Sequence, residues 1–267
     1  MGMTPGQEAL GYAAQSVAGR VRDHNEDALL CRPALGLWAV ADGMGGHSCG
    51  EVASAIALET LERELAAGLP LEVAVHGANR AVLEAAAGLD DERRGMGTTL
   101  VAVRFQGSDF ELAWVGDSRA YRIDAAGIHQ ISRDHSWVQA LVDAGQMTPA
   151  EARVDARRNV ITQCLGRDDQ ELEVGLLNGS LQPGELLLLC SDGLSGELED
   201  GEIHAQCNKA RTLDGMVDQL IVLANSHGGR DNITCIVLGL PAQEQEAPPE
   251  PPPRSFLSRL FNPRKQR

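Results

Sequence analysis

The apolar stretches of this chain are short and end abruptly. Leu35-Gly36-Leu37-Trp38-Ala39-Val40-Ala41 stops at Asp42-Gly43, residues 110–115 stop at Gly116-Asp117, and Leu186-Leu187-Leu188-Leu189-Cys190 stops at Ser191-Asp192-Gly193. Apolar runs of this length, closed by turn-forming residues, read as buried strands. They fall far below the ~18 consecutive apolar residues that a membrane-spanning helix needs.

Further strands are predicted around them. Residues 98–105 and 110–115 flank Gly107-Ser108 as a hairpin, 120–123 and 128–131 flank Asp124-Ala125-Ala126-Gly127 as a second pair, and 232–240 reads as a last strand. Residues 11–31 read as one extended segment carrying Arg22-Asp23-His24-Asn25-Glu26-Asp27. Helical periodicity runs through Val52, Ile56, Leu58, Leu61 and Leu65 to a break at Gly68, then over 72–87, and again near 212–225. Residues 134–158 are polar and helical in pattern, with Pro149 ahead of Ala150-Glu151-Ala152-Arg153, and read as a surface insertion. Strand pairs joined by tight turns, with helices in separate pairs, predict an α+β layered domain with antiparallel sheets. No internal repeat is visible.

The chain has 267 residues, a length that suits one large domain or two small ones, and with 43% of them hydrophobic it can bury a core. That body is expected to end near residue 240. Residues 241–253 are rich in Pro and Glu and read as a solvated linker. Residues 254–267 carry five positive charges and no negative one, with Phe256, Leu257, Leu260 and Phe261 at helical spacing. This tail reads either as a solubilising end or as an amphipathic segment that docks on an acidic partner or an anionic membrane. Residues 1–240 hold 18 basic and 35 acidic side chains, a balance of −17 that repels phosphate backbones and argues against nucleic acid as a partner. The first 20 residues lack the charged, then apolar, pattern of a secretory signal, so a cytoplasmic location is expected, with a monomer as the default. The six cysteines are widely spaced, without C-x-x-C pairs, which argues against structural zinc and a disulfide framework.

Asp42, Asp117 and Asp192 each follow an apolar strand, and Asp231 precedes one. A single Asp-Gly is an ordinary turn. Four acids at strand ends on one edge of a sheet would converge, repel each other and take up protons unless cations separate them. Carboxylates with a backbone carbonyl and waters form the oxygen shell of Mg²⁺ or Mn²⁺, and Gly43 leaves its carbonyl reachable. Two such ions could lower the pKa of a shared water and aim it at an electrophile, with Arg22 clamping two phosphate oxygens.

Arg22-Asp23-His24-Asn25-Glu26-Asp27, Val40-Ala41-Asp42-Gly43-Met44-Gly45-Gly46-His47, Gly95-Met96-Gly97-Thr98-Thr99, Val115-Gly116-Asp117-Ser118-Arg119-Ala120-Tyr121, Ser191-Asp192-Gly193-Leu194 and Arg230-Asp231-Asn232-Ile233-Thr234 stand in order along residues 10–240. Together they resemble the signature blocks of the metal-dependent PPM family, the type 2C protein Ser/Thr phosphatases, in their bacterial form. The resemblance implies a β-sandwich of two antiparallel sheets flanked by helix pairs, with a metal cleft at one end. It implies hydrolysis of phosphoserine and phosphothreonine on proteins by metal-activated water, with no phosphoenzyme, opposite a bacterial Ser/Thr kinase. By the family pattern Asp42 bridges two Mn²⁺ or Mg²⁺ ions, and Asp192 and Asp231 complete the shell of the first. Gly43 serves the second, with Glu26 or Asp27 acting through water. Asp117 with Asp192 matches a third, weaker position, Arg22 the phosphate-binding arginine, and residues 134–165 the variable flap beside the cleft.

One position departs from the eukaryotic pattern. Met44 stands where a histidine would follow the Asp-Gly, as in bacterial relatives, and His47 lies three residues on. The leaving group would take its proton from His47 or from a metal-bound water, and His47 equally reads as a helix N-terminal cap. Two other readings compete. Gly46-His47-Ser48-Cys49-Gly50 fits the nucleophile elbow of a serine hydrolase, but Asp42 to Gly46 separate the strand's end from Ser48, and that fold requires a parallel sheet. A silent binding module on the same fold is the second, although every matching metal position holds a carboxylate.

Overall fold

The computed structural model describes residues 10–45, 49–87 and 95–240. In chain order its elements are β1 (Gly11–Val17), β2 (Asp27–Arg32), β3 (Leu37–Met44), α1 (Cys49–Ala66), α2 (Leu71–Ala87), β4 (Gly97–Thr98), β5 (Leu100–Gln106), β6 (Asp109–Val115), β7 (Arg119–Ile123) and β8 (Ile128–Gln130), followed by α3 (Trp137–Asp143), α4 (Pro149–Val154), β9 (Gly175–Ser180), β10 (Leu186–Cys190), α5 (Asp192–Ser195), α6 (Asp200–Lys209), α7 (Leu213–His227) and β11 (Ile233–Gly239). The strands make two sheets, ordered β1-β11-β10-β7-β8 and β2-β3-β5-β6-β9, with β4 attached to β3.

Three apolar layers hold the sheets and helices together. Trp38, Val40, Leu187, Leu189 and Ile236 fill the space between the sheets. Leu37, Ala39 and Ala41 face α1 and α2 on one outer side, and Leu188, Cys190 and Val237 face α5 to α7 on the other. Side chains alternate along a strand, so a strand buried on both faces carries no polar residue in its middle. This is why β3 and β10 appear in the sequence as unbroken apolar runs. The result is an α-β-β-α sandwich, the α+β class that the sequence predicts.

Three features differ from the sequence reading. The extended segment at 11–31 is two strands in different sheets, because the polar run from Arg20 to Glu26 crosses the open rim of the sandwich. The edge strand β9 (GLLNGS) has no recognisable pattern, since its glycines leave room for rings of β6: a Cβ on Gly175 would lie 2.1 Å from the Trp114 indole, and one on Gly179 2.6 Å from the Phe110 ring. Helix α6 buries only Ile203 and Cys207, too little for a periodic signal. Among the described residues every strand pairing is antiparallel, which removes the parallel sheet that a serine hydrolase elbow needs. Ser48 and His47, like residues 241–253 and 254–267, lie outside the described residues. No described helix is long and apolar enough to cross a membrane.

Candidate metal and phosphate site

The strand face that feeds the inter-sheet core continues to the rim, and there its chemistry changes. Along β3 Asp42 follows Trp38 and Val40 on that face, and along β2 Asp27 precedes Leu29 and Cys31. The same parity brings Thr99 ahead of Val101, Ser118 ahead of Ala120, Ser191 after Leu189, and Thr234 ahead of Ile236. Apolar residues thus give way to acids and hydroxyls at one end of both sheets. Asp27 and Asp42 stand directly opposite each other across β2 and β3.

Asp42 is not past the end of its strand, as the sequence had suggested. β3 runs on through Met44 because β4 pairs with it, Gly43 opposite Thr98 and Met44 opposite Gly97. The two threonines secure the Asp42 backbone: its N–H donates to Thr99 Oγ1 at 3.1 Å, and its carbonyl accepts from Thr99 N and Thr98 Oγ1, both at 2.9 Å. Glycines then let neighbouring loops close in. A Cβ on Gly43 would lie 2.1 Å from the Gly50 carbonyl oxygen, and one on Gly193 1.8 Å from that of Asn232. Asn232 ties down the loop that carries Arg22: its Oδ1 accepts from Glu26 N at 2.8 Å, and its Nδ2 donates to the carbonyls of His24 (2.8 Å) and Ala18 (3.1 Å).

Five carboxyls meet at this rim. Asp42, on β3, and Asp192, at the start of α5 just beyond β10, lie close enough for the charge of Asp192 to raise the Asp42 pKa. Asp27 Oδ2 accepts from Ser191 Oγ at 2.7 Å, while its Oδ1 is buried without a hydrogen-bond partner among the described residues. Burial, with repulsion from the neighbouring aspartates, pushes Asp42, Asp117 and Asp192 above the usual carboxylate range and Asp27 up to about 6. Asp231 is salt-bridged to Arg22 at 2.8 Å, and that bond holds the guanidinium firmly charged. Glu26 directs a carboxylate oxygen to Gly50, within 2.7 Å of where a Cβ there would sit, at the start of α1.

The donor set is oxygen only, self-repelling and partly unsatisfied, and it fits hard divalent cations. Among the described residues no three His, Cys, Asp or Glu side chains form a ready-made shell for one ion.

Asp117 and Asp192 open into a cavity of about 540 Å³ whose far wall is Arg153, Arg158 and Asn159 from the 134–165 segment. Behind Asp117, Arg119 forks onto Asp134 with three bonds of 2.7 to 3.0 Å. Arg22, Asp27, Asp42, Asp117, Asp192 and Asp231 therefore share one site, with the Gly43 backbone and Glu26 at its α1 side. Sequence reasoning assigned no role to Thr98, Thr99, Ser191 and Asn232, although strand parity or adjacency to an aspartate marks each of them. The Arg119–Asp134 pair left no sequence signal.

Residues 19–220 match the protein phosphatase 2C family. The serine/threonine protein phosphatase PstP of Mycobacterium tuberculosis is 38% identical over 234 residues, 85% of this chain; the match takes in only 44% of that relative. The serine/threonine phosphatase stp of Listeria innocua is 36% identical over 234 residues, covering 82% of this chain and 92% of the relative. Among solved structures, the catalytic domain of PstP in complex with two manganese ions aligns with a TM-score of 0.77 at 36% identity, over 87% of this chain and 98% of that one.

Proposed function

We propose, from the premise that the chain belongs to the bacterial protein phosphatase 2C family of Ser/Thr phosphatases, that it hydrolyses phosphoserine and phosphothreonine esters on proteins with Mn²⁺ or Mg²⁺ bound at the sandwich rim. The observation that carries this reading is the convergence of buried and half-buried, mutually repelling aspartates at strand ends of both sheets, which divalent ions would relieve. Asp42 would bridge two ions, Asp192 and Asp231 would complete one shell, and the Gly43 carbonyl with Glu26 or Asp27 through water would serve the other. Asp117 with Asp192 would take a third. When bound, such ions supply acidified solvent and positive charge at the phosphoryl oxygens.

The remaining work falls to the protein. Arg22 spends one nitrogen on Asp231 and has a half-exposed side chain, so its other N–H groups are free to grip two phosphate oxygens. Asp231 keeps that guanidinium aimed at the carboxylates. Asn232 fixes the Arg22 loop to β11. A body with a balance of −17 makes anion binding dependent on the local positive charge at the rim. Residues 1–240 would form the catalytic domain, with 134–165 as the flap, a cognate Ser/Thr kinase as the opposing activity, and the cytoplasm as the place of action.

The test compares a phosphothreonine and a phosphotyrosine peptide, each with manganese and with chelator. Cleavage of the threonine peptide with manganese alone is expected. Hydrolysis of only the tyrosine peptide, or activity that survives chelation, would defeat the reading.

A further inference from the structure

The chain entering the 134–165 segment is fastened to the Gly116-Asp117 turn almost residue by residue. Ile131 N donates to the Ala120 carbonyl at 2.8 Å, and Ser132 Oγ accepts from Ala120 N at 2.9 Å. The Arg133 carbonyl accepts from Trp114 Nε1 at 2.7 Å. Asp134 receives the Arg119 fork together with Gln130 Nε2 at 2.7 Å, and Arg119 also donates to the Tyr121 hydroxyl at 3.0 Å. His135 closes the set from both sides: its N–H donates to the Gly116 carbonyl at 2.9 Å, and its Nδ1 accepts from Gly116 N at 3.3 Å. Past this point the backbone turns into α3, capped by Ser136. The segment's return is tied to the same rim, since Leu165 and Thr98 exchange backbone hydrogen bonds of 2.9 and 3.1 Å while Thr98 Oγ1 holds the Asp42 carbonyl.

We infer that His135 and the Arg119–Asp134 pair are positioning residues for Asp117, making the root of the 134–165 segment a structural part of that carboxylate's place. Gly116, the residue before Asp117, has both its backbone N–H and its carbonyl bonded to His135, and the residue two beyond Asp117 is anchored by Asp134. Any shift of the segment's root moves both supports, so Asp117 is held only while the segment is seated. Burial lowers the His135 pKa and favours the neutral ring, the form whose Nδ1 accepts. The Arg119 fork matters by its shape as well as its charge, because a lysine cannot bond both carboxylate oxygens and the tyrosine at once. This inference rests on the phosphatase reading, in which Asp117 is a cation ligand.

The experiment is a Mn²⁺ binding isotherm by calorimetry and electron paramagnetic resonance on the full chain, beside amide hydrogen exchange of the metal-free chain around Gly116. His135→Leu is expected to weaken the weakest resolved manganese about tenfold, leave tighter ions in place and speed exchange at Gly116. His135→Asn, whose Oδ1 can replace Nδ1, should recover both. Arg119→Lys should weaken the same ion while the metal-free chain stays folded by circular dichroism, which keeps the test open if His135→Leu misfolds. A wild-type chain that binds no manganese would overturn the phosphatase reading and this inference with it. A wild type that binds, with His135→Leu and Arg119→Lys matching it at every ion, or with His135→Leu and His135→Asn equally impaired, would overturn this inference alone.

Discussion

Asp42 lies on β3 of one sheet and Asp192 opens α5 just beyond β10 of the other, and the charge of Asp192 raises the Asp42 pKa. Burial drives both pKa values upward, so without a cation the pair favours taking up a proton. Asp192→Asn keeps the side chain's shape and removes one negative charge beside Asp42. The metal-free variant should be more stable than the wild type, because one of the charges that repel Asp42 is gone. Turnover of a phosphothreonine peptide with manganese should fall more than about a hundredfold, as expected when a metal ligand is lost. Thermal unfolding and a peptide assay on one preparation check both halves, and a fully active variant would contradict the assigned role.

The same carboxyls set a pH dependence. Each binds its proton more tightly in the folded chain than in the unfolded one, so above the ordinary carboxylate range, and for Asp27 up to about pH 6, the folded state holds more protons. Stability of the metal-free protein is accordingly present at low pH and lost as pH rises through that window. Asp27, raised from 3.8 to about 6, contributes on the order of 3 kcal/mol to the fall. Saturating Mn²⁺ should reverse the slope, because it binds the deprotonated groups. Urea unfolding at pH 5 and pH 7.5, with manganese and with chelator, measures it; equal slopes in the two series would be the contrary result.

Arg22 tests the phosphate side. Its side chain is 53% exposed, so removal should change stability by less than about 0.5 kcal/mol. The loss should appear in binding: a charge-assisted hydrogen bond contributes about 1.5–3 kcal/mol, so Arg22→Ala should lower kcat/KM roughly 10- to 150-fold. Arg22→Lys should recover only part of it, since a lysine has no fork. Unchanged steady-state constants for Arg22→Ala would remove the arginine from the site.

Much of this was legible in the sequence because both faces of the central strands are buried. β3 and β10 had to be apolar throughout, so their ends stood out, and so did Asp42, Asp117, Asp192 and Asp231 beside them. Strand parity also marks Thr99 and Ser191, although the sequence reading gave them no role. What the sequence did not disclose was non-local: that β1 and β2 lie in different sheets, that Trp114 covers Gly175, and that Asp134 answers Arg119 from across a hairpin. Those relations depend on which strands stack, and no local pattern encodes stacking. The polar helix α6 was missed for a simpler reason, having only Ile203 and Cys207 to bury.

Two glycines should respond in opposite directions to the same methyl group. Gly43→Ala forces a Cβ to 2.1 Å from a backbone oxygen that cannot swing aside, and should cost about 3 kcal/mol or more with loss of activity. Gly201, in α6, has nothing within 4 Å of a built Cβ, so Gly201→Ala should add about 0.5–1 kcal/mol by restricting the unfolded chain and favouring the helix. Chemical denaturation of the two variants in parallel gives the signs.

The proposed boundary at residue 240 can be tested by cutting there. β11 lies between β1 and β10, pairing with both along its length, and its residues are buried on both faces. Its ladder ends at Gly239, and the Leu240 carbonyl still accepts from Gly184 N at 3.4 Å, so a chain ending at 240 keeps every strand bond. The deleted residues carry 5 bases and 3 acids, a change in balance from −15 to −17. A chain of residues 1–240 should therefore unfold within about 2 °C of the full protein, since a shift of 1 kcal/mol moves Tm by only ~2–4 °C at this size. It should also hydrolyse a soluble phosphopeptide at the full-length rate. If the basic residues 254–267 instead serve a surface, the difference will appear where peptides do not report it: full-length protein should sediment with vesicles containing phosphatidylserine or with an acidic partner, and the shortened chain should stay in solution. A large drop in Tm or in peptide turnover on truncation would place the boundary elsewhere.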